Sequence, residues 1–121
     1  MKRRTLNQLR AKLQSAHHHN IYVVLLDPAA RKLHKVRADN PNCKARKSCV
    51  YVGLTGLAPD ERFANHKAGI KAASMVKRFG LRLLPELYEH LNPMPYEAAA
   101  QMEKDLAEDL RRAGYVVTGG H

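Results

Sequence analysis

Between Val50 and His66 the chain reads Val-Tyr-Val-Gly-Leu-Thr-Gly-Leu-Ala-Pro-Asp-Glu-Arg-Phe-Ala-Asn-His, and this stretch constrains the fold more than any other. Val50 and Val52 alternate with Tyr51 and Gly53, the two-residue period of a strand over 50–54. A glycine-containing turn follows. Pro59 suits a first helical position, and Asp60 and Glu61 suit a first turn, where the helix dipole favours negative charge. Arg62 and His66 are four residues apart and project from one side of that helix. A phenol, a glycine, a guanidinium and an imidazole thus fall close together, a set able to hold a phosphate and move a proton.

The 121 residues suffice for one domain with a modest core. No apolar run approaches a bilayer-spanning length, and Met-Lys-Arg-Arg-Thr lacks the apolar centre of a signal peptide. The expectation is a cytoplasmic protein with no membrane partner.

The net charge is +10, and its placement says more than its size. Residues 1–50 hold twelve Lys or Arg against Asp27 and Asp39, whereas residues 51–121 hold nine of each sign. An excess confined to one half points to a polyanion, DNA before RNA. The alternatives are solubility or an anionic lipid surface, but no amphipathic helix with bulky apolar anchors is apparent. The basic residues concentrate between positions 28 and 49, in a connection long enough to be functional. Lys32, Lys35, Arg37, Lys44, Arg46 and Lys47, with Lys67 beside His66, are the candidate phosphate contacts. Leu33 and Val36 could give this connection a turn of helix or an edge strand. Cys43 and Cys49 read as free thiols; a zinc clip would need two more ligands.

Leu6, Leu9 and Leu13 predict a basic helix over 1–16, packed on the domain or lying on nucleic acid. His17, His18 and His19 read as a loop. Asn20–Leu26 is the clearest strand, and its continuous apolar character predicts a central position covered on both faces. The helix from Pro59 is expected to run through Ile70 to about Val76 and to stop at Gly80. Residues 81–91 fit strand or helix. Tyr96–Ala113 predicts a helix ended by Gly114, and 115–118 a final short strand. On the helical wheel Glu103 is the only carboxylate on the apolar face shared by Ala99, Leu106, Ala107 and Leu110. Such a group requires a partner or a metal ion, and a buried salt bridge, for instance with Arg62, fits as well as a metal site. Tyr22 and Tyr51 could equally be core tyrosines with satisfied hydroxyls.

Taken in order, Tyr22, Tyr51, Gly53, Arg62, His66 and Glu103 give the chain a resemblance to the GIY-YIG nuclease domain over about residues 20–118. Asn20-Ile21-Tyr22 stands where that family has Gly-Ile-Tyr, and Tyr51-Val52-Gly53 where it has Tyr-Ile-Gly. Thr55, then Pro59–Phe63 and His66, resemble its arginine helix; Met102-Glu103 and Leu106 resemble its glutamate helix. Three features depart from the family: Asn20 replaces the first glycine, the segment between the tyrosines is long, and Tyr115–Thr118 holds no asparagine where many members have one.

The resemblance implies an α+β domain with a small, mainly antiparallel three-stranded sheet flanked by helices, its core at 20–118 and residues 1–19 a basic helical extension. It also implies an endonuclease that hydrolyses DNA with one Mg²⁺ or Mn²⁺ ion. In those terms Glu103 holds the metal, Arg62 stabilises phosphate charge, and Tyr22 takes the proton of the attacking water. Tyr51 donates to the phosphate, and Gly53 allows close approach to substrate. His66 either receives the Tyr22 proton or holds that residue by a hydrogen bond. Specificity would come from the basic loop, a protein partner or a homodimer. A non-catalytic nucleic-acid-binding module on the same fold is the alternative.

Overall fold

The computed structural model describes residues 18–120. The helix expected over 1–16, its three leucines and His17 lie outside them. Asn20–Leu26 forms β1, with five of its seven residues buried, and Cys49–Thr55 forms β2. They pair antiparallel, Tyr22 opposite Gly53 and Val24 opposite Tyr51. Gly80–Leu83 forms β3, antiparallel to the other edge of β1, and Val116–Gly119 forms β4, parallel to β2. The order is β3-β1-β2-β4, so β1 is central, as the apolar run over 20–26 predicts, and β2 lies beside it.

The fold is α+β and the sheet is mainly antiparallel, but among the described residues it has four strands rather than three, and the β2–β4 pairing is parallel. The fourth strand earns its place by burial: Val116 is 2% and Val117 0% exposed. Its parallel pairing with β2 needs a long crossover, which the sixty residues between Thr55 and Val116 supply. Its outer edge is closed by Asn40, whose amide donates to the Val117 carbonyl at 3.0 Å and whose oxygen accepts from the Val117 N–H at 2.8 Å. Asn92 clamps Ile21 in the same two-way fashion, at 2.8 and 2.7 Å.

The basic connection is ordered. It contains a 3₁₀ turn over Pro28–Lys32 and a helix, α1, over His34–Asp39. Arg31 ties the rest down, donating to the carbonyls of Lys47 at 2.7 Å and Lys44 at 3.1 Å. Cys43 and Cys49 are free thiols.

Helix α2, Pro59–Ala68, begins as its proline and two acids dictate, but it ends earlier than the periodicity predicts. Gly69 takes φ of +81°, and the Ile70 N–H closes on the Asn65 carbonyl at 2.8 Å. A separate helix, α3, covers Ser74–Phe79. Residues 81–91 resolve into the end of β3 and two 3₁₀ turns, Pro85–Leu87 and Glu89–Leu91. Helix α4, Tyr96–Arg112, buries Ala99, Glu103, Ala107 and Leu110, one stripe at helical spacing that includes the lone carboxylate. None of the described helices is long and apolar enough to cross a membrane.

Candidate active site

The register of β1 against β2 sends Tyr22, Val24, Tyr51 and Gly53 to one face of the sheet. The Tyr22 and Tyr51 rings lie with centroids 6.2 Å apart. Gly53 sits directly beneath the Tyr22 ring, and a Cβ there would land on the phenol carbon and oxygen. The close approach that glycine permits is therefore made here by Tyr22. Asn20 donates its side-chain amide to the Leu57 carbonyl at 2.9 Å and so fixes the turn into α2.

Helix α2 delivers His66 to this face, its ring 5.9 Å from that of Tyr22 and 6.0 Å from that of Tyr51. His66 is 0% exposed, and its Nε2 lies 2.8 Å from the Tyr22 hydroxyl. Its other nitrogen, Nδ1, accepts from the Ala73 N–H at 3.0 Å. A backbone N–H can only donate, so Nδ1 carries the lone pair and Nε2 carries the hydrogen. Nε2–H then donates to the phenol oxygen. Burial, and secondarily the charge of Arg62, pushes the imidazole down to about 4, so it stays neutral in this arrangement. This geometry suits one of the chemical tasks open to His66, holding Tyr22 by a hydrogen bond.

Arg62, one turn earlier on α2, donates to the carbonyls of Ile70 at 3.3 Å and Lys71 at 2.9 Å. The break between α2 and α3 is thus held by the same two side chains, Arg62 and His66, that face the tyrosines. The Arg62 charge also acts on both phenols. Burial raises Tyr22 above its usual range, Tyr51 adds to the rise, and Arg62 opposes it. Burial likewise raises Tyr51, reinforced by the negative charge of Glu103 and opposed by Tyr22 and Arg62.

Glu103 is 8% exposed on α4, and its charge is felt at Tyr51. Burial pushes its carboxyl up to about 7, with only Lys104 opposing. It forms no salt bridge with Arg62, whose donors go to backbone carbonyls, and it has no hydrogen-bonding partner among the described residues. The ion pair weighed from the sequence is therefore absent among these residues. No cluster of three or more His, Cys, Asp or Glu side chains stands ready for a metal among them either.

A cleft of about 770 Å³ opens beside Tyr51, between α1, the start of α3 and the end of β4. Thr118, directly opposite Tyr51 in the β2–β4 register, lines it, as do Lys35 and Arg111. Lys35 is the one residue of the predicted phosphate contacts on its wall. Lys32, Arg37, Lys44 and Arg46 are exposed elsewhere on the surface. Lys47 lies over the Tyr115 ring at 4.9 Å, and Lys67 donates to the carbonyls of Lys77 and Gly80 at 3.1 and 2.9 Å. Those two are engaged in holding the fold. Arg31, Asn40, Asn92 and Arg111 escaped the sequence reading. Of these only Arg111 touches the cleft, and its place in the last turn of a long helix gave no sign of it.

No family model, curated protein or solved structure matches this chain.

Proposed function

We propose that the chain is a metal-dependent endonuclease of the GIY-YIG type that hydrolyses phosphodiester bonds of DNA. The observation that carries this reading is the grouping of Tyr22, Tyr51 and His66 with the Arg62 charge acting on all three, and the charge of Glu103, a buried carboxylate with no partner among the described residues, acting on Tyr51. A carboxylate of that kind fits Mg²⁺ or Mn²⁺, hard ions that accept a single protein oxygen and fill the remaining positions with water and substrate phosphate. Glu103 would hold the ion, and the ion when bound would stabilise charge at the scissile phosphate and leaving oxygen.

The remaining work falls to side chains. Arg62 has guanidinium donors beyond those given to Ile70 and Lys71, and it supplies positive charge where phosphate charge builds. Tyr51, half-buried on the cleft, donates to a phosphate oxygen. Tyr22 takes the water proton at its phenol oxygen. His66 Nε2–H and Arg62 both favour the phenolate needed for that step, against the burial that disfavours it. His66 is accordingly a positioning residue. The test is nicking of plasmid and branched DNA with Mg²⁺ or Mn²⁺: cutting abolished by chelator and by Glu103→Ala supports the reading, and no cutting at high protein concentration sinks it.

The burial of Tyr22, 1% exposed, favours one alternative, a nucleic-acid-binding module that uses this fold without catalysis. It predicts salt-sensitive binding that survives Glu103→Ala, with no cleavage in either metal.

A further inference from the structure

The cleft beside Tyr51 is larger than a phosphate requires. Its volume of about 770 Å³ falls in the range of small-ligand sites, roughly 300–1,000 Å³. Its walls divide by chemistry. Leu33, Val36 and Met75 give an apolar side, and methionine adapts readily to a flat ring. Tyr51 offers an aromatic surface at the end nearest the candidate active site.

Arg111 marks the charged end. Its Nε is buried and has no hydrogen-bonding partner among the described residues, and its only bond among them is a long one, 3.4 Å from Nη2 to the Val117 carbonyl. It forms no ion pair with Asp39, which also lines the cleft, so its charge is not neutralised there. An arginine with free donors in a planar fork matches a phosphate, and Lys35 on the exposed rim adds a second positive charge. Asp39 can only accept when ionised, which suits an exocyclic base amine and repels a phosphate.

We propose that this cleft receives one unpaired nucleotide next to the scissile phosphate, its phosphate on Arg111 and Lys35 and its base against Met75, Leu33 and Val36. The proposal rests on the reading of nucleic acid as the partner, and it names the substrate class: single-stranded or branched nucleic acid rather than continuous duplex. A base inside a duplex is stacked and paired on its neighbours and cannot enter a concave site without leaving the stack.

The test is fluorescence anisotropy with a labelled single strand of about 12 nucleotides, within the usual footprint of single-strand sites, and the same strand as a duplex. Binding is measured with chelator present, on the whole chain and on Met75→Asp, which puts a negative charge on the apolar wall, and Lys35→Glu, which alters only an exposed rim. The expected result is single-strand binding about tenfold or more tighter than duplex, since the duplex must first unstack a base to fill the cleft, with the preference reduced in either variant. Equal affinity for the two forms, no binding to either, or a preference unchanged in both variants overturns the proposal. Cleavage is scored separately. Single-strand preference without cutting keeps the cleft assignment and removes the nuclease reading; cutting of duplex without preference does the reverse.

Discussion

The Tyr22 phenol oxygen and His66 Nε2 stand 2.8 Å apart, and the hydrogen on that nitrogen is fixed there by a bond on the far side of the ring. The Ala73 N–H occupies Nδ1, so a backbone group in the α2–α3 connection sets the tautomer that Tyr22 meets. The candidate site and the fold are joined at this residue, because the same imidazole closes the helix break and holds the phenol.

His66→Phe keeps the ring volume approximately but leaves the Tyr22 oxygen and the Ala73 N–H without their partner. The expected loss of stability is about 2–4 kcal/mol, the cost of two buried groups left unsatisfied. Urea unfolding of variant and parent measures it. A change within experimental scatter would mean that the two bonds contribute nothing.

The pH dependence of stability has two opposed parts. The His66 value falls from 6.5 to about 4 on folding, so its contribution is present above pH 6.5 and is lost as the pH drops through 4. The Glu103 value rises from 4.5 to about 7, so its contribution is present below pH 4.5 and is lost as the pH rises through 7. The two oppose one another between pH 4.5 and 6.5. Glu103→Gln removes the second part alone. The variant is expected to be more stable than the parent at pH 8 by about 1–3 kcal/mol, with the gain disappearing near pH 4.5. Denaturant titrations at the two pH values check this, and a gain independent of pH contradicts it.

The raised Glu103 carboxyl also bears on metal binding. Below pH 7 the group must release a proton before it can act as a ligand. Mn²⁺ affinity, followed by calorimetry or paramagnetic relaxation, is expected to strengthen about tenfold per pH unit from 5 to 7 and then level off. A flat profile would place the metal on other groups.

Gly53→Ala drives a methyl into the Tyr22 ring. The ring must turn away from His66 or the strands must part, at a cost of about 1–3 kcal/mol. Loss of cleavage well beyond the loss of folded protein would show that the position of the Tyr22 ring matters to the chemistry.

Much of this could be read from the chain because the signals were local. The apolar run of β1, the alternation in β2 and the apolar stripe of α4 each lie within one element, and Glu103 was visible on the helical wheel before its burial was known. The break at Gly69 was hidden because the residues around it favour helix. The contacts that stabilise it, from Arg62 and His66, form only once the turn exists. The fourth strand was expected as a segment, but its pairing was not. Its clamp, Asn40 to Val117, spans 77 residues, and the Asn92 clamp on Ile21 spans 71, separations at which no pattern in the chain announces a partner. The cleft escaped for the same reason, since Met75, Arg111 and Lys35 come from three helices.

The central claim is that Tyr22 and Glu103 serve one reaction. The direct measurement is the initial rate of branched-DNA nicking in Mn²⁺ for the parent, Tyr22→Phe and Glu103→Gln, each shown to be folded by circular dichroism. The account predicts metal-dependent nicking by the parent and a loss of at least about 100-fold in each variant, the usual scale for removing a general base. Parent-like nicking by either variant, or a parent that cuts nothing while binding DNA, would contradict it.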